Sequence, residues 1–284
     1  MLEPDAEQQQ RKNLADTLRQ LRKAAGLSGE RLAVRAAMSQ SKVSRIESGK
    51  TLPTVADVER IMTALDVQPA ARDELLALAR SANVEYTSLR SSARQGIWRS
   101  QAEIKALTES ASVVRQFLPA IPSGLIQTRD YARAVLTPGV EGRPARDIDR
   151  AVQARLDSQG SLNDESRRFC FLLTEQAVRL KRAAASVMVE QLQHMAGASQ
   201  RPNVDLAILP NAALVNASPL NVFVAYDDRL VLAEIFAGEV ALRDYRDIMY
   251  HLNIFEHFYE RALTGEDARR VLKSAADQFM RTRD

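Results

Sequence analysis

Gln40, Ser41, Lys42, Ser44 and Arg45 crowd into the stretch SQSKVSRIESGKTLP, residues 39–53, and no acid interrupts them before Glu47. At helical spacing Gln40, Ser41, Ser44, Arg45 and Ser48 share one stripe, whereas Val43 and Ile46 face the other way. Amide and hydroxyl groups donate and accept hydrogen bonds and a guanidinium donates them, none titrating near neutral pH. The chemistry on offer is therefore recognition of a polar, negatively charged surface rather than proton transfer. Lys50 and Thr51, just beyond the helix-ending Gly49, extend that chemistry to oxyanions.

Other reactive residues offer less. His251 and His257 lie six apart, too far around a helix to form the i, i+4 pair of a metal site. Cys170 is the single cysteine, so no intrachain disulfide or thiolate cage can form. It reads as a buried inert thiol, with a redox sensor beside Arg167 and Arg168 as the other reading. The aromatic run NIFEHFYERAL reads as core, or as a dimer seam. No Gly-rich phosphate loop and no Ser/His/Asp arrangement stands out. No residue is assigned a catalytic or metal-binding role, no cofactor is expected, and the chain is expected not to be an enzyme.

The recognition stripe needs elements to hold it. Leu14, Leu18 and Leu21 predict an amphipathic helix over 12–25 that stops at Gly26. Ser28 can cap a short second helix carrying Leu32, Ala33 and Ala36. Ser39 caps the third, and Pro53 with Thr54 opens a fourth with Val58, Ile61, Met62 and Leu65 at core spacing. A fifth, PAARDELLALARSA, follows. Two short helices joined by a tight turn, backed by ordinary core helices, form a helix-turn-helix, which sets its second helix in the major groove of DNA. There Gln40 suits an adenine edge and Arg45 a guanine edge, while Lys50 and Thr51 suit phosphates. Charge agrees with this: residues 11–50 hold ten Lys and Arg against three acids, in a chain whose net charge is only +3.

Residues 18–53, LRQLRKAAGLSGERLAVRAAMSQSKVSRIESGKTLP, resemble the Xre-type helix-turn-helix of lambda-like phage repressors, most specifically in SRIESGKTLP. The resemblance implies a five-helix domain that binds DNA through Ser39, Gln40, Ser41, Lys42, Ser44, Arg45, Lys50 and Thr51. It also implies a structural ion pair between Arg22 and Glu47. Two positions depart from the family: Gly29 stands where a Gln is usual, and Ala37 where the turn usually has Gly. A left-handed Ala37 would cost about 1 kcal/mol.

Beyond residue 82 the pattern changes. NVEYTSLRSSARQG reads as a connector. A helix is expected around QAEIKALTESASVVRQF, then a Pro/Gly loop into the helix of LPAIPSGLIQTRDYARAVL. IDRAVQARLDSQ and VMVEQLQHMAGA read as helices and RRFCFLLTE as an alternating strand. NVDLAILP, LNVFVAYDD and RLVLAEIF are β-rich, the last two joined at a tight turn, and long helices close the chain over 242–263 and 265–281. PSGLIQTRDYARAVL, ARLDSQ, FCFLLTEQAVR and RPNVDLAILP, with Glu103 or Glu109 before them, resemble the C-terminal domain of WhiJ-like actinobacterial regulators. That group looks like transcription regulators of development or antibiotic production, with a small protein encoded nearby as the implied partner.

The expected fold is mainly α with a smaller α+β part. A lambda-repressor-like helix-turn-helix domain spans 1–82, a connector 83–105, and an α+β domain with a small sheet 106–284. The 284 residues suit two domains. No signal-like apolar start or membrane-length apolar run is present, so a cytoplasmic location is expected. The sequence reads as a sequence-specific transcription regulator on a double-stranded DNA operator, homodimeric as such motifs usually are, with the C-terminal domain dimerising, sensing a signal or holding a partner. The alternative is an antitoxin-like protein that sequesters a small partner and autoregulates its operon.

Overall fold

The computed structural model of the chain describes residues 4–88, 105–141 and 147–281. It divides into two compact units, Met1–Glu85 with Ala241–Asp247, and Tyr86–Val240 with Ile248–Asp284. Of the expected connector, residues 89–104 lie outside the described residues, and Glu103 with them.

The first unit is built from α1 (Pro4–Ala24), α2 (Gly29–Arg35), α3 (Gln40–Glu47), α4 (Val55–Ala64) and α5 (Pro69–Ala82). Three of the helices begin at side-chain caps. Ser28 accepts from the Arg31 amide, Ser39 from the Lys42 amide and Thr54 from the Asp57 amide, each satisfying a donor that the first helical turn leaves without a partner. Gly26 and Gly49 take positive φ after α1 and α3, as left-handed caps do. Leu14, Leu18, Leu32, Val43, Ile46 and Ile61 close around one core. α1 starts at Pro4, earlier than the expected residue 12, because a polar N-terminal run carries no apolar periodicity to announce it. Asn83, almost fully buried, donates from Nδ2 to the carbonyls of Ala79 and Pro53 at 2.8 and 3.0 Å, tying the end of α5 to the approach to α4. Its own carbonyl accepts from the Arg243 amide at 3.3 Å, within the returning segment 241–247.

After β1 (Val84–Ser88) and a short helix α6 (105–110), the second unit alternates strands and helices. β2 (Val113–Leu118) leads through a short 3-10 turn (Gly124–Ile126) to α7 (Arg129–Leu136) and α8 (Ile148–Ser158), then β3 (Arg168–Thr174), α9 (Glu175–Arg179) and α10 (Ala185–Ala198). β4 (Val204–Leu209), β5 (Phe223–Tyr226), β6 (Leu230–Ile235) and β7 (Gly238–Leu242) precede α11 (Tyr245–Tyr259) and α12 (Gly265–Arg281). These strands run in the order β7-β6-β5-β2-β3-β4, a mixed sheet. β2, β3 and β4 are parallel, and β5 joins β2 antiparallel. Arg115, Cys170 and Asp205 stand in register across the parallel strands. On their face Phe258 of α11 stacks on Phe117 with ring centroids 4.9 Å apart, and the Tyr259 hydroxyl donates to Asp205 Oδ2 at 2.5 Å.

Several expectations are corrected. The helix expected through residues 101–117 ends at residue 110, and its second half is the central strand β2. β3 is buried along its whole length after Arg168 instead of alternating, as a strand covered on both faces must be. Gly238–Leu242 is a strand, so the helix expected from 242 starts at Tyr245 and ends at Tyr259.

The α2–α3 turn contains a strained residue. Ala37 has φ 51°, left-handed backbone that a Cβ disfavours. Ala37→Gly should therefore stabilise the first unit by about 1 kcal/mol, the relief of strain outweighing the greater freedom glycine gives the unfolded chain. Urea unfolding of the variant beside the parent checks this, and an unchanged or lower midpoint would refute it.

Candidate nucleic-acid interface

α3 is eight residues long, and its orientation is set from outside itself. Val43 and Ile46 are the inner anchors, at 1% and 0% exposure. With those two inside, Gln40, Ser41, Ser44 and Arg45 are all exposed. Ser39 is exposed as well, but its hydroxyl is engaged as the cap and lies 3.2 Å from that of Ser41. At the far end the Ser48 hydroxyl donates to the Arg45 carbonyl at 3.1 Å, and the Thr51 amide donates to the same carbonyl at 3.1 Å. Lys50 is exposed on that loop and Thr51 is half-buried.

Two ion pairs clamp the helix. Arg22 of α1 meets Glu47 through a two-point contact, Nε to Oε1 at 2.6 Å and Nη2 to Oε2 at 2.9 Å. Its remaining Nη1 donates to the Leu27 carbonyl at 2.6 Å, so one guanidinium joins α1, the turn after it and the end of α3. Both side chains are mostly buried, and the hydrogen bond to Glu47 raises the Arg22 pKa. The pair neutralises the one acid of α3.

The second clamp concerns Lys42. Its Nζ lies 2.7 Å from Asp57 Oδ1, on α4, so the ammonium is drawn off the stripe and toward the body of the unit. Asp57 is almost fully buried, and its other oxygen accepts from the Thr54 amide at 3.1 Å, completing a capping box. Sequence reasoning does not pick out Asp57 as an anchor, although Thr54-x-x-Asp57 carries the capping-box signal. It also passes over Arg31 and Arg35, exposed cations on α2. The arrangement as a whole is a row of short neutral donors and acceptors plus Arg45, flanked by cations. Such a row fits a groove with base edges on its floor and phosphates on its rims.

The remaining candidates stay outside this arrangement. Cys170 is buried, and burial pushes its thiol pKa up, the opposite of an activated thiolate. Among the described residues no group of three or more His, Cys, Asp or Glu is placed to hold a metal ion.

Removing the carboxylate in Glu47→Ala leaves a mostly buried guanidinium without its counter-charge, and should cost about 3 kcal/mol. Glu47→Gln, which can still accept a hydrogen bond, should cost less. The urea midpoints of the two variants measure this, and a Glu47→Ala protein as stable as the parent would remove the clamp from the account.

Comparison with known proteins adds the following. Residues 13–75 match a family described as a helix-turn-helix domain. Residues 101–274 match a family described as a domain of unknown function (DUF5753). No curated protein matches the chain. Among solved structures, NucT from Helicobacter pylori is 14% identical with a TM-score of 0.36, over 64% of this chain and 98% of that one. TrmBL2, an archaeal chromatin protein whose structure shows a novel mode of DNA binding, is 18% identical with a TM-score of 0.29, over 73% of this chain and 66% of that one. Both likenesses are loose. The match over residues 101–274 takes in more than half of the sequence, and the chain belongs to the family of this domain of unknown function (DUF5753), preceded by a helix-turn-helix domain.

Proposed function

We propose that the chain is a sequence-specific DNA-binding regulator of transcription, of the Xre type in its first unit, acting by binding and without catalysis. One observation carries the reading: α3 presents Gln40, Ser41, Ser44 and Arg45 to solvent on two fully buried anchors, with its one acid neutralised by Arg22. A helix meant merely to pack would not need its outer face cleared of negative charge. A helix entering the major groove does, because an unpaired carboxylate there meets phosphate repulsion. The proposed partner is a double-stranded operator. Among the described residues no helix is long and apolar enough to cross a membrane, which is compatible with the cytoplasmic setting such a regulator needs.

The reading separates two kinds of contact. Arg45 sits within the stripe, where its guanidinium can face a base edge, whereas Lys50 sits past the helix end, where the chain would pass the phosphates. Arg45→Ala should cost about 1 to 3 kcal/mol on the preferred site and flatten discrimination at one base pair. Lys50→Ala should weaken all sequences alike and lower the salt slope by about one unit for each phosphate that is no longer neutralised. Titrations against the preferred site and its single-base variants, at several salt concentrations, distinguish the two. Uniform weakening by Arg45→Ala, with base preferences intact, would reduce the stripe to a phosphate-binding surface.

We further propose that the regulator is a homodimer, since a single short recognition helix reads too few base pairs to select one site in a genome, and paired half-sites remedy this. Light scattering of the full chain should return twice the mass of one chain. A monomer at micromolar concentration, with unaltered site preference, would overturn it.

A further inference from the structure

In the second unit the segment from Pro122 to Thr128 is held by an unusually complete set of polar contacts. Gln127 Nε2 donates to the Pro122 carbonyl at 2.7 Å, and its Oε1 accepts from Arg155 Nη1 at 2.7 Å. Gln159 Nε2 donates to the carbonyls of Gly124 and Gln127 at 3.0 and 2.7 Å. Gln191, buried on α10, donates to the Ile126 carbonyl at 2.8 Å and accepts from the Thr128 amide at 2.7 Å. The Arg155 side chain lies flat against Gly124, where a Cβ would come within 3.1 Å of its Nε. Glycine at 124 thus lets the guanidinium stem press against the loop.

Two buried hydroxyls in this neighbourhood, those of Tyr131 and Ser161, have no hydrogen-bond partner among the described residues. Tyr131, in the first turn of α7, is 0% exposed, and its hydroxyl makes no hydrogen bond. An orphaned buried donor is costly, so the retention of the bulky Tyr131 phenol beside so many paired amides calls for a ligand that pairs it. The charges that act on this hydroxyl are those of Arg182 and, more weakly, Arg155. Burial raises the phenol to about 12, which keeps it protonated and a donor at neutral pH. Position agrees with chemistry. Tyr131 and Arg182 lie on the segments that follow the carboxyl ends of β2 and β3, adjacent parallel strands, and the Thr174 hydroxyl ties those ends together by donating to the Pro119 carbonyl at 2.7 Å. Sheets with parallel strands bind ligands outside the carboxyl ends of those strands.

We propose that the second unit binds a small anion, a phosphate ester or carboxylate, whose oxygens accept from the Tyr131 hydroxyl and from Arg182, with Arg155 held by Gln127 as the fixed wall of the site. The hydroxyl is covered here, so the bound form differs by at least a side-chain movement. Arg182 is exposed and has the room to make it. The site stands apart from the DNA reading and survives its failure, because none of its residues belongs to the helix-turn-helix.

The test titrates the full-length chain with inorganic phosphate and, separately, with acetate, at ionic strength held constant with KCl, and follows the melting temperature. At least one anion should raise it, and which one does so identifies the headgroup. Tyr131→Phe and Arg182→Ala should each weaken the apparent affinity by about tenfold or more, the worth of a hydrogen bond to a charged group. Without anion Tyr131→Phe should melt at or above the parent temperature, since it removes only an unpaired hydroxyl. Arg45→Ala, titrated in parallel, should keep the anion response. The proposal falls if neither anion raises the melting temperature, or if the response survives both substitutions. It falls equally if Arg45→Ala abolishes the response, or if anion-free Tyr131→Phe melts well below the parent.

Discussion

A helix of eight residues does not persist in water, because nucleation fixes several residues before the first hydrogen bonds repay it. α2, at seven residues, is in the same position. Everything in the first unit answers that constraint. Side-chain caps supply the hydrogen bonds that such short helices cannot make internally, Val43 and Ile46 supply burial, and two ion pairs reach in from α1 and α4 to fix rotation and tilt. Both pairs are made by side chains whose own helices are longer and better packed. Rigidity is thus borrowed from α1 and α4, and the outward face of α3 is left free to be chosen for recognition alone.

The second unit solves a different problem. Its sheet changes from parallel to antiparallel at β2, which is thereby central to the fold and covered on both sides. Helical crossovers can cover a parallel sheet only if the loops between strand ends and helices are accurately placed. Here glutamines do the placing, Gln127 and Gln191 with buried amides that donate and accept at once and Gln159 with two donated bonds, and these contacts hold the loop after β2.

Much of this is legible in the residues, and the limits are physical. Ser28, Ser39 and Thr54 mark helix starts because a side-chain oxygen two or three residues before an unpaired amide is a local device. α5 is readable to its ends because Pro opens it and apolar spacing fills it. β2 passes for helix because VVRQFL follows an uninterrupted polar helical run, and no Gly or Pro separates the two. β7 escapes notice because Gly238–Leu242 is too short and too mixed to show a period. In the interface, exposure of the stripe follows from spacing alone. The withdrawal of Lys42 onto Asp57 does not, since it joins residues on different helices through a partner whose local role is to cap its own.

The first unit is discontinuous in sequence: its last piece, Ala241–Asp247, is separated from Glu85 by the larger part of the second. During synthesis the five helices are complete long before that piece exists. At translation rates of about 5–20 residues per second, roughly eight to thirty seconds pass between the two. For that interval the Asn83 carbonyl, which finally accepts from the Arg243 amide, has no chain to meet. The nascent helix-turn-helix is therefore assembled before it is finished, and its completion is tied to the arrival of the segment that ends β7 and begins α11 rather than to its own translation.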